Sequence, residues 1–220
     1  MSQKKPEIEY YFSFISLWSY VGSGVLEALV RKHDATVVYK PVDLLAVFAA
    51  GGGKPVKERA PARQAYRLVE MQRWREVRQI DLVLHPRFYP ADPTLGHRML
   101  LAALRDGQKV NDFTYACLRA VWADEQDIAA PATLSRLASE SGLDGPRLLD
   151  QAQDLELHEL EGALTREAIA RQVFGAPFYF YNGEPFWGQD RLELLDAAMT
   201  SGRSSSLCIP NASRKRDTIL

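Results

Sequence analysis

Ser16 stands where the alternating run Ile8-Glu9-Tyr10-Tyr11-Phe12-Ser13-Phe14 gives way to Leu17-Trp18-Ser19-Tyr20 and a helical apolar pattern. A hydroxyl at a helix start sits beside unpaired backbone N–H groups and a positive dipole end, so it suits the capture of an anion. The same position is the ordinary place for an N-cap serine, and the two roles are compatible. A hydrolytic nucleophile would need a GxSxG elbow with downstream Asp and His, which the chain lacks. One other group suits a ligand: Gly175-Ala176-Pro177 ahead of an aromatic strand. Asp190 suits the N-cap or first turn of the last helix. His33, His85, His97 and His158 are scattered without HxxxH or HExxH spacing, and Cys117 and Cys208 are far apart with no CxxC pair. Neither a metal centre nor a dithiol redox pair is expected.

The elements that must position these residues can be read from periodicity. After Ser16, Val21, Val25, Leu26, Leu29 and Val30 recur at helical spacing up to Arg31-Lys32-His33-Asp34, and Thr36–Val42 is rich in β-branched and aromatic residues. The opening is therefore β-α-β, with the second strand a parallel partner of the first. Leu44, Leu45, Val47 and Phe48 suggest a short helix that Gly51-Gly52-Gly53 stops, leading into a mobile loop. That glycine run lacks the Gly-Lys-Ser/Thr ending of a phosphate loop. From Ala62 to Phe174 helix formers dominate, broken near Pro86, Pro90, Pro93, Gly107, Pro131 and Gly142–Gly145. Phe178–Tyr181, Asn182-Gly183 and Glu184–Trp187 then spell a hairpin, and Leu192, Leu195 and Met199 a final amphipathic helix.

This order predicts an α/β, thioredoxin-like fold split by a large helical insertion: residues 1–45 with 170–200 as the thioredoxin-like part, 46–169 as the insertion, and 201–220 as a flexible, Ser-rich, basic-ended tail. In such a fold a cis Pro177 would lie beside the helix that Ser16 opens, with the N–H and C=O of Ala176 turned outward to pair with a bound peptide backbone.

Composition narrows the partners. The chain has 220 residues, with 27 Lys and Arg against 28 Asp and Glu, so no nucleic-acid footprint is indicated and any charged ligand must be captured locally. Two distant cysteines suit a reducing cytosol. No apolar signal core and no apolar stretch long enough to cross a membrane occurs, so a soluble, cytoplasmic protein is expected.

Several strings, in order, resemble one family. They are Tyr11-Phe12-Ser13-Phe14-Ile15-Ser16-Leu17-Trp18-Ser19-Tyr20, Tyr66 with Arg73-Trp74, Trp122 with Asp127-Ile128, Val173-Phe174-Gly175-Ala176-Pro177, and Phe186-Trp187-Gly188-Gln189-Asp190-Arg191-Leu192. Together they are similar to the glutathione-dependent 2-hydroxychromene-2-carboxylate isomerases, relatives of kappa-class glutathione transferases and DsbA-like proteins. The resemblance implies that a glutathione thiol adds to an aromatic-derived unsaturated keto acid, allows bond rotation and leaves, with Ser16 donating to the thiolate. It carries the glutathione contacts to Ser16, Ala176, Pro177, Trp187, Gly188, Gln189 and Asp190, the last two facing the glutamyl ammonium end. It also implies a homodimer.

The substrate half departs from the pattern: Leu17 replaces a proline found in some members, Phe48 lies in the region of their lysine, and Lys54 and Asp92 in the regions of their asparagines. Lys54, Lys57 and Arg63, with Asp92 nearby, are the candidates for meeting a substrate carboxylate. A kappa-like transferase acting on electrophiles and a non-catalytic glutathione-binding module are the alternatives. A dithiol oxidoreductase is disfavoured, because Ser16 and Ser19 stand where two thiols would be needed.

Overall fold

The alternation in β1 (Glu7–Phe12) sends Ile8, Tyr10 and Phe12 into one apolar cluster and Tyr11 into another on the opposite face of the sheet. The computed structural model describes residues 5–202. Residues 1–4 and 203–220 lie outside them, so Cys208 and nearly all of the expected tail do too.

Ser13, Phe14 and Ile15 lead from β1 into α1 (Leu17–His33), whose end is set by Asp34 in the left-handed region with its N–H returned to Arg31 and Val30. β2 (Thr36–Pro41) pairs with β1 in parallel, from Glu7 against Thr36 to Phe12 against Pro41. α2 (Leu44–Gly51) is capped by Asp43, whose carboxylate accepts from the N–H groups of Leu45 and Ala46, and it stops at Gly52 with φ 72°.

A 3-10 turn at Val56–Glu58 follows, then six helices: α3 (Pro61–Arg78), α4 (Thr94–Arg105), α5 (Asn111–Trp122), α6 (Pro131–Glu140), α7 (Gly145–Gln151) and α8 (Leu155–Ala170). No strand lies between β2 and α8. β3 (Phe178–Tyr181) and β4 (Glu184–Trp187) close the sheet in the order β2-β1-β3-β4, with β3 antiparallel to both neighbours. Asn182 and Gly183 both have positive φ, 48° and 80°, as a two-residue primed turn requires. A 3-10 turn at Gln189–Arg191 leads into α9 (Leu192–Ser201).

The larger core joins α1, α4, α5, α6 and α9 to one face of the sheet around Tyr10, Phe12, Phe14 and Trp122. On the other face Tyr11, Phe178 and Phe180 meet Val47 of α2 and Ala168 of α8. A charged cluster ties α8 there: Lys40 Nζ lies 2.8 Å from Glu9 and 2.6 Å from Glu167, Tyr11 donates to Glu167 at 2.7 Å, and Arg171 pairs with Glu9. The helical segment thus packs on both faces of the sheet and reaches the end where β1 meets α1. Among the described residues no helix is long and apolar enough to cross a membrane.

Candidate functional site

Ser16 is the N-cap of α1, in extended conformation, with its N–H returned to Ser13 O at 2.9 Å. Its hydroxyl accepts from Ser19 N–H at 3.2 Å and donates to the carbonyl of Ala176 at 3.0 Å, and the residue is buried. The Ala176-Pro177 bond is cis. Ser16 and Ala176, 160 positions apart, are therefore in direct contact. The Ser16 hydroxyl takes one of the two lone-pair positions of the Ala176 carbonyl.

The Trp187–Asp190 string forms the adjoining wall. Trp187 is half exposed, lies edge-on to Phe174 at 4.7 Å between ring centroids, and approaches Gly175 so closely that a Cβ there would stand 2.7 Å from Nε1. Gly188 has φ 98° and donates its N–H to Pro177 O at 3.0 Å; a Cβ on it would stand 2.5 Å from Asp190 Oδ1. Both glycines are thus required by close approach. Asp190 is exposed and lies 2.6 Å from Arg191. It occupies the first turn of the 3-10 segment, and Arg191, not Asp190, precedes α9.

Gln189 corrects the reading of its side chain as a ligand contact. It is buried, its Cβ sits against Gly22 of α1, and its Oε1 accepts from Arg78 Nη2 at 2.8 Å and Nε at 3.2 Å. Its side chain fastens α3 to the turn and leaves only its backbone for a ligand.

On the other side of Ser16 opens a cavity of about 990 Å³, beginning at Ile15 and bounded by α2, the Tyr89–Thr94 loop and α8. Its walls are mainly apolar, as a small-molecule site requires. Of the four residues expected in the substrate half, Lys57 and Asp92 line it, whereas Lys54 and Arg63 are exposed and do not. Asp92 is occupied locally: it accepts from the Thr94 hydroxyl at 2.6 Å and the Thr94 N–H at 3.0 Å, bonds that hold its carboxyl below the usual range.

His97, unremarkable in the sequence, is fully buried between Glu161 (Nδ1 to Oε1, 3.0 Å) and the Ser13-Phe14 segment (Nε2 to Ser13 Oγ and to Phe14 N, both 3.3 Å). The Phe14 N–H makes Nε2 an acceptor, so Nδ1–H donates to Glu161. His97 therefore braces, from α4, the loop that carries Ser16. Cys117 is fully buried, and burial pushes its thiol well up, so it offers no thiolate.

A family model described as a DSBA-like thioredoxin domain matches residues 7–200. The chain belongs to that family. Within this DsbA-like thioredoxin fold it is similar to a 2-hydroxychromene-2-carboxylate isomerase of Pseudomonas putida, 31% identical over 211 residues that span 93% of this chain and 97% of the relative. A solved 2-hydroxychromene-2-carboxylate isomerase superposes with TM-score 0.77 at 26% identity, covering 89% of this chain and 95% of that one. The glutathione S-transferase kappa 1 of Caenorhabditis elegans is 24% identical over 209 residues, 87% of this chain and 90% of the relative. In this DsbA-like chain the residues that sequence reasoning missed, Arg78 and His97, act through partners 111 positions away and 64 or more positions away, and no local pattern marks them.

Proposed function

We propose that the protein is a glutathione-dependent isomerase of the 2-hydroxychromene-2-carboxylate isomerase type, acting on an aromatic-derived unsaturated keto acid as a cytosolic homodimer. The observation that carries this reading is the buried Ser16 hydroxyl at the start of α1, against Ala176 and one residue from an apolar cavity of about 990 Å³. Glutathione, when bound, supplies a thiol that adds reversibly to the conjugated system and so permits rotation about its double bond.

The residues present fit that cofactor. Gly175 and Gly188 allow Trp187 and Asp190 to pack closely against the backbone beside Pro177, and Asp190 holds an exposed carboxylate suited to an ammonium group. Ser16 is the group that holds the thiolate: its O–H would turn from Ala176 O to the sulfur, with the N-terminus of α1 adding its dipole. His97 keeps the Ser13–Ser16 loop in place, and the apolar cavity excludes water from the reacting carbon.

Titration calorimetry with glutathione tests the first half; no binding to the wild-type protein would end this reading. Turnover of 2-hydroxychromene-2-carboxylate beside that of a simple electrophile tests the second. The likeness to a kappa-class transferase supports the alternative, a transferase acting on electrophiles, and turnover of the electrophile alone would establish it.

A further inference from the structure

Arg67, on α3, is a half-buried guanidinium with no carboxylate in salt-bridge range among the described residues. Its Nη1–H donates to Met71 Sδ at 3.1 Å, a weak acceptor, and its Cζ lies 5.5 Å from the ring centroid of Trp122 and 5.8 Å from that of Tyr89. Those rings are themselves 4.6 Å apart. Trp122 is fully buried, and its Nε1–H has no acceptor. Tyr89 lines the cavity. A part-buried cation with only a thioether to accept from it and a buried N–H with no acceptor are each costly, and aromatic faces repay a guanidinium only in part. Burial pulls the pKa of Arg67 down; Tyr89 opposes this and Arg59 adds to it.

The four carboxylates of the cavity do not answer this demand. Asp43 caps α2, Asp92 is taken by Thr94, Glu161 holds His97, and Glu58 is exposed on the 3-10 turn and makes no ion pair with Arg67. Two donor groups in want of an acceptor thus lie against Tyr89, itself part of the wall of an apolar chamber.

We propose that Arg67, flanked by Trp122 and Tyr89, is the specificity-determining residue that takes the carboxylate of a planar aromatic substrate. The assignment rests on the isomerase reading for what the carboxylate belongs to, and it moves the anion site from the exposed Lys54, Lys57 and Arg63 to a partly dehydrated position. A charge pair there is stronger than at the surface, where water screens it. The guanidinium fork pairs with the two carboxylate oxygens while the ring system lies against the apolar wall.

The test compares trans-cinnamate with its methyl ester, two planar aromatic probes that differ in charge, by calorimetry on the full chain. The wild-type protein is expected to bind the acid at least about tenfold more tightly than the ester, the span of one charge-assisted hydrogen bond or more. Arg67→Met is expected to remove that preference by weakening the acid alone, and Arg67→Lys, which keeps the charge without the fork, to retain part of it. Equal binding of the two probes by the wild-type protein, or a preference that survives in Arg67→Met, overturns the proposal. Glutathione binding, measured separately on the same samples, is expected to stay within about twofold in both variants, the scale of a change outside the altered contact. Acid selectivity without any glutathione binding would sink the isomerase reading and leave this subsite standing.

Discussion

Replacing Ser16 by alanine separates the structural duty of its hydroxyl from its proposed chemical one. The substitution deletes one oxygen that makes two bonds, from Ser19 N–H at 3.2 Å and to Ala176 O at 3.0 Å, in a buried place where water cannot fully replace them. Loss of the N-cap costs about 1 kcal/mol. Leaving a buried carbonyl short of its donor adds about 1–2 kcal/mol. The variant is therefore expected to be about 2–3 kcal/mol less stable in urea unfolding, and to melt roughly 4–12 °C lower at this chain length.

The same oxygen in its second role donates to a thiolate, a bond worth about 1.5–3 kcal/mol, so its loss raises the pKa of the bound thiol by about 1–2, toward the free-thiol value near 8.5. Following the ultraviolet absorbance of the thiolate in the protein–glutathione complex against pH reads that pKa directly. Ser16→Thr, which keeps a hydroxyl, serves as the control and is expected to stay near the wild-type value. If Ser16→Ala loses the expected stability but leaves the thiol pKa unchanged, Ser16 is a cap and nothing more, and the mechanism proposed above is wrong.

Three further outcomes are expected. Asp190→Ala should weaken glutathione binding about tenfold or more, as loss of a charged pair does, while leaving the melting temperature nearly unchanged because the residue is exposed; calorimetry decides. Gly22→Ala would place a Cβ 2.7 Å from the Cβ of Gln189 and push the turn away from Arg78, a loss of about 1–3 kcal/mol by overpacking measurable in urea unfolding.

The third concerns pH. Burial works to raise the carboxyls of Glu9 and Glu167, but bonds from Arg171 and Lys40 outweigh it and hold both below their ordinary value of 4.5. The unfolded chain then binds protons first, so stability from this cluster is full above that value and lost as pH falls through it and below. Lys40→Met should flatten the acid limb of a melting-temperature profile, and an unchanged limb would refute the assignment.

What could be read from the sequence follows from which contacts the backbone makes. Asn182-Gly183 announced the hairpin because both residues need positive φ, and Ser16 and Gly175-Ala176-Pro177 could be paired because the order of strands and helices brings the start of α1 to the start of β3. The side chains of Gln189 and Asp92 are engaged by partners that their own short strings do not reveal. Arg78 claims one from a helix 111 positions earlier, and Thr94 claims the other from two positions later. Neither capture has a periodic signature. The capping of Asp92 was the more accessible of the two, since an acid two residues before a helix start commonly bonds the N–H there.

The two halves of the site therefore differ in how they are encoded. The proposed cofactor half is made of a helix start, a residue before proline and two glycines at close approach, features fixed by main-chain geometry within short strings. The cavity half is made of side chains from α2, the Tyr89–Thr94 loop and α8, with Arg67 of α3 behind Tyr89, and these elements meet only through tertiary packing. Exchange of one side chain there, as at Arg67 or Phe48, alters the charge or shape of the chamber without moving Ser16, because the loop bearing Ser16 is braced separately by His97 and Ala176. Under the proposed function, substrate preference can therefore change along the helical segment while thiol activation stays constant. On that basis Arg67→Met should alter which acids the protein accepts, and Ser16→Ala whether it activates a thiol at all.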